Sequence, residues 1–215
     1  MKLSKYIDHT LLKADASIEA IKKLCEEAKE YDFKSVCVNP CNITLCKELL
    51  QGSDVLVCTV IGFPLGQMST EAKVFEAKDA IEKGAQEVDM VLNIGRLKDG
   101  QLDYVTDEIA KIKQACGSTT LKVIIETCLL TDEEKVNACN CILKAGADFV
   151  KTSTGFSTAG ATFEDVALFK KTVGDKCFIK AAGGVRSHED MLKMIELGAN
   201  RIGTSSGTKL IEKGE

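Results

Sequence analysis

Eight short β-branched runs punctuate this chain, and their spacing constrains the fold more than any other feature. They are YIDHT (6–10), SVCVN (35–39), VLVCTVI (55–61), EVDMVLN (87–93), LKVIIET (121–127), FVKTS (149–153), CFIKAA (177–182) and RIGTS (201–205). Helical patterns separate most of them. From Ser17 to Tyr31, Ile18, Ile21, Leu24, Cys25 and Ala28 make one apolar face, with Ser17 as N-cap. Similar segments run near 41–50, 69–83, 101–115, 132–145, 162–173 and 187–197. Strand–helix alternation marks a parallel sheet, and eight repeats close it into a (β/α)8 barrel. No linker or low-complexity tract divides the chain, so all 215 residues, 1–215, are expected to form a single α/β domain of TIM-barrel architecture.

One joint recurs. KGAQEVDMV, AGADFVKTS and LGANRIGTS each place Gly-Ala at a helix end and then start a strand. Five residues on from Gly84, Gly146 and Gly198 lie Asp89, Lys151 and Gly203. Each follows an apolar residue, Val88, Val150 or Ile202, that would face the helices. Strand side chains alternate, so the three next residues point into the barrel. The same parity turns Lys122, Glu126, Lys180, Cys37 and Asn39 inward. Barrel interiors are normally filled with branched apolar side chains. A lumen holding Asp89, Lys122, Lys151 and Lys180 departs from that rule in a way that asks for a functional cause.

A lone strand lysine is ordinarily a snorkelling residue or a structural ion-pair partner. Here Lys151 and Lys180 lie on neighbouring strands and repel when both are protonated. That repulsion, with burial, favours a neutral amine at one of them. A neutral amine in a dry pocket condenses with a carbonyl to give a Schiff base, an electron sink suited to carbon–carbon cleavage. Asp89 and Lys180, sharing a water, would relay the proton. The loops after strands seven and eight are the usual phosphate site of such a barrel. Here they read AAGGVRS and GTSSG. Gly183 and Gly184 permit close backbone approach to an anion, Arg186 sits beside them, and Ser205 and Ser206 would open a helix whose N-terminus favours negative charge. Gly155 could add a donor after strand six.

Other features read as ordinary structure. His188 is expected to be an exposed first-turn residue and His9 a packed strand histidine. IGFPLGQMS (61–69) is expected to be a loop capping the site from above. Of the 28 basic residues only Arg96, Arg186 and Arg201 are arginines, and the net charge of −4 offers nucleic acid or anionic membrane no attraction. No run approaches a membrane span and the first residues have no apolar signal core, so a cytoplasmic location is expected. The ten cysteines form no CxxC pair and read as reduced, small hydrophobes rather than zinc ligands. No metal or cofactor is expected.

YIDHTLLK, GFPLG, EVDMVLNIG, KVIIET, GADFVKTSTGF, KAAGGVR and IGTSSG together resemble the deoxyribose-phosphate aldolase family, and the match runs from the first strand to the last. The resemblance implies a class I aldolase that reversibly cleaves 2-deoxy-D-ribose 5-phosphate to D-glyceraldehyde 3-phosphate and acetaldehyde. It implies Lys151 as the Schiff-base lysine, with Asp89 and Lys180 as the proton relay. It places phosphate contacts on Gly155, Gly183, Gly184, Val185, Arg186, Gly203, Ser205 and Ser206. It puts Asp8, Thr10, Cys37 and Lys122 along the site. It also implies a homo-oligomer, dimer or tetramer, whose partner is a small sugar phosphate. One departure stands out: some members use a C-terminal tyrosine for proton transfer, whereas this sequence ends KLIEKGE and its tyrosines are Tyr6, Tyr31 and Tyr104. Two other readings stay open on the residues alone. One is another Schiff-base sugar-phosphate aldolase or transaldolase-like barrel; the other is a non-catalytic sugar-phosphate sensor.

Overall fold

The computed structural model describes residues 2–211, so residues 212–215, where the sequence departs from family members with a C-terminal tyrosine, lie outside the described residues. All eight expected strands form: β1 Ile7–Leu11, β2 Ser35–Val38, β3 Leu56–Ile61, β4 Glu87–Val91, β5 Thr120–Ile124, β6 Phe149–Lys151, β7 Phe178–Ala182 and β8 Arg201–Thr204. They pair in chain order, all parallel, and β8 closes on β1 through Ile7–Ile202, Asp8–Gly203 and His9–Thr204. The helices are α1 Ile18–Glu30, α2 Ile43–Leu49, α3 Thr70–Lys83, α4 Ile94–Lys98, α5 Leu102–Cys116, α6 Asp132–Ala145, α7 Phe163–Val173, α8 His188–Glu196 and α9 Gly207–Leu210. Sequence periodicity missed α4 and α9, which at five and four residues are too short to display a helical repeat.

Local chemistry sets the boundaries. Ser17, Ser69, Thr131, Thr162 and Ser187 each accept a backbone N–H from the first turn of α1, α3, α6, α7 and α8. Such a cap is worth about 1 kcal/mol. The three Gly-Ala joints are built alike. Gly84, Gly146 and Gly198 are left-handed, and the following alanine N–H closes the turn: Ala85 on Ala80 O at 2.9 Å, Ala147 on Ile142 O at 3.3 Å, Ala199 on Met194 O at 2.9 Å. Identical exits deliver three strands with the same phase, which is why residues counted from the glycines share a barrel face.

The main apolar core lies between sheet and helices and includes Val88, Met90, Val123, Ile125, Val150, Ile179 and Ile202, all buried. A smaller cluster of Leu12, Cys37, Cys58 and Val60, with Phe63 over it, lines the inside of the barrel on the β1–β3 side. The remaining lumen is charged. His9 faces outward, buried against Phe33 with Nε2 at 2.7 Å from Glu27 Oε2. His188 departs from expectation. It opens α8 but is half-buried, because Nδ1 lies 2.7 Å from Leu210 O and ties α8 to α9.

Candidate active site

Asp89, Lys122, Lys151 and Lys180 all point into the lumen, as strand parity predicts, and all are buried. The sheet register sets Asp89 beside Lys122 and Lys151 beside Lys180. Asp89 is the hub. Its Oδ2 accepts from Lys151 Nζ at 2.7 Å and from Lys180 Nζ at 2.9 Å, and its Oδ1 accepts from Lys122 Nζ at 2.9 Å. Asp8, from β1, forms an ion pair with Lys180 at 2.6 Å and accepts from Ser35 Oγ at 2.7 Å. Asp89 and Lys180 therefore touch directly rather than only through a water.

A lower tier went unread in the sequence. Glu87 accepts from Lys122 Nζ at 2.7 Å and from Arg201 Nη2 at 2.7 Å, while Arg201 Nη1 also donates to Asp8. Phe149 shares this tier, with Lys122 and Arg201 over its ring. The signal was available: Glu87, Phe149 and Arg201 are the third residues after the three joint glycines, two before Asp89, Lys151 and Gly203. Gly203 makes room for chemistry, since a Cβ there would sit 3.0 Å from Lys180 Cε.

Seven charged groups thus fill the barrel: the cations Lys122, Lys151, Lys180 and Arg201 against the carboxylates Asp8, Glu87 and Asp89. Four cations meet three carboxylates, leaving one cation in excess. Burial alone would raise the Asp89 carboxyl, but Lys122, Lys151 and Lys180 outweigh it and hold it well below the usual carboxylate range. Burial likewise opposes charge on Lys180, yet Asp8 and Asp89 overcome it and push its pKa up. Lys122 is also pushed up, against burial, by Asp89, Cys58, Glu87 and Asp8. Of the repelling pair on β6 and β7, Lys180 is therefore the one fixed as an ammonium.

Only one lumen lysine opens outward. A cavity of about 600 Å³ sits at the C-terminal mouth of the barrel, over β6, β7, β8 and β1, with Lys151 in its lining. All eight expected phosphate contacts, Gly155, Gly183, Gly184, Val185, Arg186, Gly203, Ser205 and Ser206, line it, as does Thr10. Asp8, Cys37 and Lys122 lie beneath it in the lumen rather than in its wall. Lys13 and Lys209 add two cations to the rim, and among the described residues no aspartate or glutamate lines this cavity. In a chain of net charge −4 that is a selective concentration of positive potential. Ser205 and Ser206 precede only the short α9, so side chains and loop backbone, rather than a long helix dipole, shape the anion end. Phe63, from the loop after β3, meets the Phe156 ring edge-on at 5.4 Å and roofs the inner cluster. Tyr6, Tyr31 and Tyr104 are not in the cavity wall.

Two residues expected to face inward lie just beyond the ends of their strands. Asn39 follows β2, and its Nδ2 donates to Leu12 O at 3.1 Å. Glu126 follows β5, turns left-handed, and gives its carboxylate to Thr154. Metal binding is disfavoured by the donor set. Cys37, Cys58 and Asp89 converge within 4.8 Å, but three lysine nitrogens already contact Asp89, and burial, Cys37 and Asp89 push the Cys58 thiol well up. A mouth amine, a carboxylate touching it, a fixed ammonium and an anion-binding wall together provide for imine formation and proton transfer on a phosphorylated carbonyl compound.

Comparison with known proteins agrees. The chain is 63% identical over 212 residues to the deoxyribose-phosphate aldolase of Finegoldia magna, spanning 99% of this chain and all of that one. It is 62% identical to that of Streptococcus sanguinis, covering 100% of this chain and 97% of the relative. Among solved structures, a putative deoxyribose-phosphate aldolase from Coccidioides immitis superposes with a TM-score of 0.94 at 43% identity, over 97% of this chain and 84% of that one. A tetrameric deoxyribose phosphate aldolase from Aeropyrum pernix gives 0.90 at 34% identity, over 97% and 88%. The family model of DeoC/LacD family aldolases matches residues 2–211. With its closed barrel and its lysine-lined lumen, the chain belongs to the DeoC/LacD aldolase family.

Proposed function

We propose that this chain is a deoxyribose-phosphate aldolase that acts as one domain and cleaves 2-deoxy-D-ribose 5-phosphate through a Schiff base on Lys151. The observation that carries the residue assignment is the position of Lys151. It alone among the lumen lysines lines the cation-rimmed cavity, while its Nζ contacts the Asp89 hub. Full-length relatives at about 60% identity support the substrate.

In this mechanism the phosphate lies against Gly183, Gly184, Arg186, Ser205 and Ser206, which directs C1 of the open-chain sugar toward Lys151. The amine attacks C1 and water leaves, giving an iminium ion. A water hydrogen-bonded to Asp89 takes the C3 hydroxyl proton and passes one of its own to that carboxylate. The C2–C3 bond breaks, its electrons pass into the iminium, and glyceraldehyde 3-phosphate departs. Lys180, held as an ammonium, returns a proton to C2 of the enamine, and hydrolysis of the imine frees acetaldehyde and Lys151. Asp89 then hands its proton to Lys180 across their 2.9 Å contact and returns to the carboxylate that orients both amines. The excess of one lumen cation fits this cycle, because conversion of Lys151 to a neutral amine or enamine leaves three cations facing three carboxylates.

Borohydride added with 2-deoxy-D-ribose 5-phosphate should trap a reduced two-carbon or five-carbon adduct on the peptide bearing Lys151, read by mass spectrometry. An adduct on another lysine, or no adduct in a protein that turns over, would sink the assignment. Assembly as a homo-oligomer, and a cytoplasmic location, belong to the same proposal. The tetrameric Aeropyrum pernix relative supports the first, and among the described residues no helix is long and apolar enough to cross a membrane.

A further inference from the structure

Glu126 is a buried carboxylate outside the lumen network. It is left-handed, with φ 56° and ψ 67°, a region that disfavours any residue carrying a Cβ. Backbone bonds on both sides hold it there: Ile125 N–H donates to Lys151 O at 3.0 Å and Thr127 N–H to Thr152 O at 3.0 Å. The kink directs the carboxylate at Thr154. The Thr154 N–H donates to Oε1 at 3.1 Å, and the Thr154 hydroxyl donates to Oε2 in a short bond. The same hydroxyl accepts the Phe156 N–H at 3.0 Å. No lysine or arginine pairs with Glu126 among the described residues, so both oxygens serve this one loop.

That loop joins the two ends of the site. Lys151, Thr154, Gly155 and Phe156 all line the cavity, and Glu126 grips the chain three residues beyond the reactive amine. Two donors on Thr154 face two acceptor oxygens, a match that only a carboxylate of this length completes. A glutamine would turn an NH2 group toward one of the donors. We propose that Glu126 is a positioning residue that fixes the span between Lys151 and the anion-binding wall, and so sets the preference for a phosphorylated over an unphosphorylated sugar. The inference rests on the aldolase reading above.

The test is steady-state cleavage of 2-deoxy-D-ribose 5-phosphate and of 2-deoxy-D-ribose by the full chain, E126Q, T154V and the double variant. For E126Q, KM for the phosphorylated sugar should rise about tenfold, from loss of one charge-assisted bond. kcat should stay within about twofold, and kcat/KM for 2-deoxy-D-ribose should hold, because the reacting centre is untouched. T154V should also raise KM for the phosphorylated sugar, and the double variant should raise it no further than the stronger single one. Equal losses on both sugars, or an unchanged KM for the phosphorylated one, overturn the clamp. Should E126Q fail to fold by circular dichroism, E126D, which keeps the charge but shortens the reach to Thr154, decides by the same criterion. An unmodified protein that cleaves neither sugar instead overturns the aldolase reading, a separate result.

Discussion

Asp89 and Lys151 touch at 2.7 Å, yet their removal should have unequal effects on stability. Asp89→Asn takes the lumen from four cations against three carboxylates to four against two, and it strips Lys122, Lys151 and Lys180 of their shared counter-charge at once. Breaking a buried ion pair from one side costs about 3–5 kcal/mol, because the surviving charges stay buried. In a domain of this size that lowers Tm by roughly 6–20 °C. Lys151→Met removes the excess cation instead. Asp89 keeps Lys122 and Lys180, both at 2.9 Å, and three cations then face three carboxylates. A methionine fills most of the same volume, so the expected cost is below about 1.5 kcal/mol. Both variants should lose aldol cleavage. Calorimetric Tm at pH 7, with activity on the same samples, separates the two effects. If Lys151→Met loses as much stability as Asp89→Asn, the charge count is not what governs this lumen, and the account of Lys151 as the spare cation is refuted.

Two further outcomes follow from the same network. Lys180→Met should lower kcat by roughly 10²–10⁴, the usual worth of a positioned acid or base, while borohydride still traps an adduct on Lys151; loss of trapping in a folded variant would assign Lys180 to imine formation instead. Acid should unfold the protein partly through Asp8 and Asp89. Burial would raise both, but Lys180, Arg201 and Lys122 for Asp8, and Lys122, Lys151 and Lys180 for Asp89, hold them below their ordinary 3.8. A depressed carboxylate contributes stability that is complete above its ordinary value and is lost as pH falls through the folded one. Asp89→Asn should therefore lose less Tm between pH 5 and pH 3 than the unmodified chain, and an equal loss would contradict this assignment.

Much of this was legible in the sequence because the relevant signals are local. Strand–helix alternation fixes the barrel, and the repeated Gly-Ala exit fixes which residue of β4, β6 and β8 points inward. Asp89, Lys151 and Gly203 follow from counting alone. What stayed hidden depends on where strands stop. Parity carries Glu126 into the lumen only if β5 continues, and β5 ends first, at Ile124, before the chain turns left-handed. Lys13 and Lys209 were invisible for another reason: each is a surface lysine among 28 basic residues, and only the closed barrel brings the loop after β1 beside α9 at one rim.

Glu87 and Arg201 mark a different kind of omission. Their inward phase was as readable as that of Asp89, yet a glutamate and an arginine near strand starts look like ordinary polar ends. In the closed barrel they are buried, and they matter through charge. Arg201 is the fourth cation, and without it the lumen would balance with Lys151 protonated. The floor of the barrel thus acts on the amine at its mouth through Asp8 and Glu87, by way of Lys180 and Lys122, and not by contact. A search confined to residues lining the cavity would stop one tier too soon. The chemistry assigned to Lys151 depends on the charge of a lumen that reaches down to Arg201.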